Sequence, residues 1–252
     1  MMKLIQIEWM KLKRLNTMKV ILIIYAIAVP LIYLSLSMIQ VGPLSFPSST
    51  FEFPMAYQMT AWVSSFFNLM IGVIVIVFTT NELKYKTQRQ NVIDGLSKRE
   101  VILSKFYVVV LLSLAVSIYV FVVGFIIGAV NSDLSTMFDG IHHIGAYFIS
   151  TLGYFIFAFF FANLVRLPAL AIVLYLFSTF IEGIIGLIAV QKYAQFFPLS
   201  TFSDLVPFPM QFIPEEVPDP HIWEQGARSG LAVCYILIFV IISYVVIRRR
   251  DV

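Results

Sequence analysis

The chain has 252 residues, 60% of them hydrophobic and only 12% charged, with a formal net charge of +3 and a mean hydropathy of +0.92. A soluble domain carries about twice that charge fraction, so the composition excludes an ordinary soluble enzyme or nucleic-acid-binding domain and defines a polytopic membrane protein. The single cysteine, Cys234, lies in an apolar run, which excludes an intrachain disulfide and a cysteine metal cluster.

The first seventeen residues hold Lys3, Glu8, Lys11, Lys13 and Arg14, and the apolar run behind them is too long for the core of a cleavable signal peptide. Leu4, Ile7, Trp9, Leu12 and Leu15 interleave with the lysines. This predicts an amphipathic helix in the membrane interface over residues 1–17, with a plain basic flank as the alternative. Six apolar runs are long enough to cross about 30 Å of hydrocarbon: 18–39, 55–80, 101–130, 144–165, 168–190 and 230–247. Pro30 lies within the first, where it should kink the helix and free a backbone carbonyl. Gly124 and Gly128 in the third form a GxxxG pair that permits close approach, a pattern common by chance in apolar helices. Tyr154 to Phe161 in the fourth is a lipid-facing or helix-packing surface. Arg166-Leu167-Pro168 is a minimal turn, with Pro168 suited to the first position of the fifth helix.

After the fifth run the pattern changes. Glu182 is followed by Gly183 and Gly186, and six prolines from Pro198 to Pro220 punctuate the stretch before the last run. This predicts a span ending near Glu182 and short helices re-entering the bilayer between spans five and six, within an external segment at 191–228. Glu182 is the one ionisable residue expected inside the membrane, as an acid of the transport pathway or as a structural cap. His142-His143 is far better read as part of a solvated loop than as a metal pair, since adjacent helical side chains diverge by about 100°.

An even number of spans places both termini on one side, and fifteen of the seventeen Lys and Arg residues fall on that side. The positive-inside rule makes it cytoplasmic. The most polar of the cytoplasmic connections is residues 81–105, NELKYKTQRQNVIDGLSKREVILSK. Glu82 and Lys86 stand four apart on a solvated helix, Gly95 suits a helix end, and Ser97 with Glu100 has the spacing of a capping box. A new helix therefore starts in water at Ser97. Neither a G-x-x-x-x-G-K-[ST] loop nor a G-x-S-x-G or H-E-x-x-H motif is present, so no catalytic, cofactor-binding or metal-binding residue is expected.

This arrangement resembles the permease subunits of ABC-2 type ATP-binding cassette transporters. The resemblance covers the whole chain as architecture. It is most specific at Glu82–Lys105, which is similar to the coupling-helix region of lantibiotic-immunity and gliding-type bacterial permeases, with Glu82, Thr87, Arg89, Gly95, Leu96 and Ser97 in the matching places and Lys98 where Arg is frequent. It implies an all-α membrane protein of the type V exporter kind: one permease domain with six transmembrane helices, an amphipathic N-terminal helix, a cytosolic coupling helix at 81–100 and re-entrant external helices. It implies that Glu82, Lys86, Thr87, Arg89, Gly95, Leu96 and Ser97 dock cytosolic ABC ATPases that bind ATP and Mg, that a second permease completes a homodimer or heterodimer, and that the site of action is the bacterial cytoplasmic membrane. Readings from other classes are a membrane-embedded enzyme or a secondary transporter using Glu182, the former with His142 or His143.

Overall fold

The structure, a computed structural model, describes residues 2–38, 48–84, 97–188, 195–209 and 225–249. Regular structure among them is helical: α1 (Met2–Lys13), α2 (Asn16–Met38), α3 (Met55–Ser65), α4 (Asn68–Lys84), α5 (Lys98–Asn131), α6 (His142–Val165), α7 (Pro168–Ile188), α8 (Pro198–Ser203) and α9 (Gln225–Arg249). Helices α2, α5, α6, α7 and α9 are long and apolar enough to cross a membrane, and α3 with α4 makes a sixth span when that bent pair is taken as one.

The run at 55–80 is thus not a single straight helix. It breaks at Phe66–Phe67, and α3 and α4 meet at 52°. Ser65 turns its hydroxyl back onto the Trp62 carbonyl at 2.7 Å, the local competition that weakens helix continuation. Asn68 opens α4 fully buried, its Oδ1 accepting from Tyr147 and Thr151 of α6, each at 3.2 Å. Tyr147 also shares a 3.2 Å hydrogen bond with Tyr25 of α2. The bend is therefore held by hydrogen bonds that reach two neighbouring helices.

Helix α6 is the centre of the bundle. It packs against α3, α4, α5, α7, α8 and α9, and 61% of its apolar window is buried, against 17% for α2 and α9 and 11% for α7. Phe155, Phe157 and Phe159 are buried, so the aromatic stretch of this helix is a packing surface. The outer helices leave Ile27 and Leu31 of α2, Phe177 and Phe180 of α7, and Leu237 and Ile241 of α9 exposed.

Helix α2 runs unbroken through Pro30. The carbonyl a proline there cannot pair belongs to Ala26, four residues back, and Tyr119 of α5 donates to it at 2.7 Å. The GxxxG pair of α5 seats aromatic rings of its own chain: a Cβ at Gly124 would stand 3.0 Å from the Tyr57 ring, and one at Gly128 would overlap Phe53. Arg166 closes α6 in the left-handed region, φ 61°, and Pro168 opens α7.

Helix α7 continues six residues beyond Glu182, through Gly183 and Gly186, which corrects the expected end near Glu182. The residues around that acid (Ile181, Ile184, Ile185, Leu187) sustain the apolar helix, and the carboxylate itself is satisfied from outside it.

Candidate functional site

At the end of the bundle that carries α1, three segments far apart in sequence meet on one carboxylate. Glu82, in the last turn of α4, accepts hydrogen bonds from Lys11 of α1 at 3.1 Å and from Lys105 of α5 at 2.5 Å, one on each oxygen. Lys11 also donates to Glu8, one turn earlier in α1, at 2.8 Å. Three of its four members are interior, with Glu8 2% exposed, Glu82 6% and Lys105 0%, and Lys11 closes it at the rim with its side chain 32% exposed. The Lys105 ammonium lies 5.1 Å from the centre of the Phe78 ring, a cation–π contact that partly replaces lost hydration. Two acids and two lysines leave the group neutral when all are ionised, the condition under which a buried set of charges is tolerable.

The electrostatics of α1 follow from its burial. Desolvation pushes the Glu8 carboxyl above its ordinary range; the Lys105 charge opposes this and the Glu82 charge reinforces it. The neighbouring Glu82 carboxylate, placed to accept a hydrogen bond from a protonated Glu8, adds to the cost of ionising it. Desolvation works against the charge on Lys11, but its hydrogen bond to Glu8 and the charge of Glu82 outweigh that and hold the ammonium above its ordinary value.

These positions correct the expectation of a solvated Glu82 facing a partner. Its carboxylate points into the protein because two lysines wait there, and a buried acid with two cationic donors is far better satisfied than one left at the rim. Sequence reading missed Glu8, Lys11 and Lys105 as its companions. One signal was available: Lys105 sits a full two turns inside a helix whose following residues carry no charge and are mostly apolar, where an unpaired ammonium would not be kept.

The other side of the 81–105 connection begins as the sequence predicts. Ser97 Oγ accepts from the Glu100 N–H at 3.3 Å, and the Glu100 carboxylate accepts from the Ser97 N–H at 2.9 Å and from its hydroxyl at 2.7 Å. Those bonds from Ser97 hold the exposed Glu100 carboxyl below its ordinary value. The 34-residue helix they start is about 50 Å long, some 20 Å more than the hydrocarbon core. Lys86, Thr87, Arg89, Gly95 and Leu96 lie outside the described residues.

At the opposite end, Glu182 holds α8. Its carboxylate accepts from the Leu199 N–H at 3.0 Å, from the Ser200 N–H at 3.0 Å and from the Ser200 hydroxyl at 3.4 Å. The acid is therefore a cap supplied across the fold. Phe202 of α8 fills the space over Gly153 of α6, where a Cβ would stand 2.5 Å from its ring, and Tyr235 of α9 donates to the Phe196 carbonyl at 2.5 Å. Gly153 lies eleven residues into α6 and Tyr235 ten into α9, so α8 is seated about 15 Å inward from the ends of those helices. The rings of His142 and His143 stand 4.1 Å apart, closer than helical divergence implies.

The model of a protein family described as ABC-2 family transporter protein matches residues 4–190, about three quarters of the chain and every residue of the ion cluster. No curated protein matches it. With a helical bundle of five to six candidate spans and that match, the chain is a multi-pass membrane protein and belongs to the ABC-2 family of transporters.

Proposed function

We propose that this chain is the membrane-spanning permease of an ATP-driven exporter in the bacterial cytoplasmic membrane, with both termini in the cytoplasm. ATP and Mg are bound by separate cytosolic ABC ATPases, and a second permease, identical or not, completes the pathway. The observation that carries this reading is the largely buried Glu8–Lys11–Glu82–Lys105 cluster, open to the surface at Lys11. It ties the helix entering the 85–96 connection, the helix leaving it and the N-terminal helix into one unit. A polar connection bolted at its root to three helices is suited to receive force from a soluble motor and pass it into the membrane.

In this reading residues 81–100 are the coupling region, and its roles divide. Glu82 is the internal anchor, Ser97 starts a stiff helix, and Lys86, Thr87, Arg89, Gly95 and Leu96 form the part presented to the ATPase. The seat of α8, about 15 Å inward, supports its assignment as a re-entrant external helix that Glu182 fixes in place.

The test is purification of the tagged chain from its native membrane. Recovery of a P-loop ATPase in fixed proportion is expected, and Lys86→Glu with Arg89→Glu should abolish that recovery while Glu82 and membrane insertion stay intact. An ATPase never recovered with the native chain, or one retained by the doubly reversed variant, would defeat the assignment.

A further inference from the structure

The bend in span two leaves one polar group unanswered. Asn68 is fully buried, and both hydroxyls that reach it, from Tyr147 and Thr151, donate to its Oδ1. Its Nδ2, a donor of two hydrogens, is buried with no acceptor among the described residues. An amide paired at one end and orphaned at the other is costly in an interior. Elsewhere in this chain helical asparagines turn that nitrogen to the carbonyl four residues back: Asn131 to Ile127 at 2.8 Å, and Asn163 to Phe159 at 2.7 Å. The carbonyl four residues before Asn68 belongs to Ser64. At the break it accepts from the Phe67 N–H at 3.0 Å, three residues on, where an unbroken helix would bring the Asn68 N–H.

We propose that span two has a second, straight form, in which α3 runs on into α4 and Asn68 donates Nδ2 to the Ser64 carbonyl, as Asn131 and Asn163 do to theirs. Each partner left behind on α6 has a replacement. Tyr147 and Thr151 both stand 3.2 Å from the same oxygen, so they lie beside each other when it withdraws, and Tyr147 keeps its bond to Tyr25. Thr60 and Thr80 donate to the carbonyls of Ala56 and Ile76, one turn back and each at 2.7 Å, and the same rotation brings the Thr151 hydroxyl to the Tyr147 carbonyl. The bonds given up at Asn68 are thus remade in equal number. Asn68 is a latch with two positions: its oxygen holds the bend and its nitrogen holds the straight helix. The latch is uncharged and lies within one chain, so it stands or falls apart from the exporter reading.

Straightening lengthens the span. The 26 residue steps from Met55 to Asn81 measure about 39 Å along a straight helix and about 35 Å across a 52° bend near the middle. In the full chain with Cys234→Ala, carried in lipid nanodiscs, spin labels on Met55→Cys and Asn81→Cys read that distance by double electron–electron resonance. The native sequence should show the short distance as its main population. Tyr147→Phe with Thr151→Val strips the bend of both donors and leaves Asn68 in place, and should move the population outward by about 4 Å. Asn68→Pro suits the first turn of α4 and removes the N–H that a straight helix needs at that point, so adding it to the α6 pair should restore the short distance. A Tyr147→Phe/Thr151→Val chain that keeps the native distance overturns the proposal, as does a lengthening that survives Asn68→Pro. If the paired change prevents folding, Thr151→Val alone is read in the same way: a gain of the long distance supports the latch and an unchanged distribution overturns it.

Discussion

Removing the Lys105 charge is the most direct way to probe the cluster. Lys105→Met keeps the length and most of the volume of the side chain, so packing around Phe78 changes little. What changes is the charge count: two carboxylates remain with Lys11 alone, in a site where Glu82 is 6% exposed and Glu8 2%. Breaking one partner out of a buried ion pair costs about 3–5 kcal/mol. Lys11 still reaches Glu82 at 3.1 Å, so the low end, about 3 kcal/mol, is expected, read as a fall in the thermal unfolding midpoint of the purified chain. Glu82→Gln combined with Lys105→Met restores neutrality, leaving Glu8 with Lys11, and should recover most of that loss. Stability and coupling then separate. On the proposed reading the neutral double variant should fold and bind a partner ATPase, yet transport poorly, because α4 and α5 are no longer locked together. A Lys105→Met protein as stable as the native one would refute the buried-charge argument, and full transport by the neutral double variant would reduce the cluster to a folding feature.

Three further outcomes follow from individual contacts. Tyr119→Phe strips the Ala26 carbonyl of its donor, at a cost of about 1 kcal/mol; in a Pro30→Ala background, where residue 30 regains its N–H, the same change should cost almost nothing, as a double-mutant cycle on unfolding midpoints will show. Glu182→Ala removes the acceptor of two backbone N–H groups of α8 and should cost about 1–2 kcal/mol; Glu182→Gln should cost less, and a catalytic loss in the glutamine variant without any loss of stability would revive the enzyme reading. Because burial raises the Glu8 carboxyl, the folded state takes up its proton before the unfolded state does: the stabilisation is complete below the ordinary value of 4.5 and is lost as pH rises through the raised one. Unfolding midpoints of the native chain should therefore fall relative to Glu8→Gln across that window as pH increases, and parallel curves would contradict the shift.

Much of the fold was legible because it is written in local spacing. The capping box needs only Ser97 and Glu100 three residues apart, and it forms. Pro30 frees a carbonyl wherever the helix goes, although only the fold could say that Tyr119 would answer it. The break at Phe66–Phe67 was hidden because two phenylalanines look like any other pair in a span; the cause lies in Ser65 and Asn68, whose side chains find backbone and α6 partners. Glu182 was ambiguous for a related reason, since its role depends on a helix that begins sixteen residues later and folds back beside it.

The fate of Glu82 shows where local reading fails and what that implies for mechanism. Spacing pairs it with Lys86, four residues on, and a solvated helix would allow that. Among the described residues its donors are Lys11, 71 residues before it, and Lys105, 23 after it. A solvated i,i+4 pair contributes a few tenths of a kcal/mol, whereas leaving Lys105 buried without an acid would cost several, so the long-range contact dominates what Glu82 contributes. On the proposed reading this moves the site of coupling inward. The polar residues of the connection supply recognition, and rigidity comes from the carboxylate at its root that joins α1, α4 and α5. Force arriving at residues 85–96 then meets a root that cannot slide without separating buried charges. The first place along that path where the chain can give is the bend at Asn68, about halfway back along span two, where hydrogen bonds to Tyr147 and Thr151 can be exchanged at far lower cost than an ion pair can be broken.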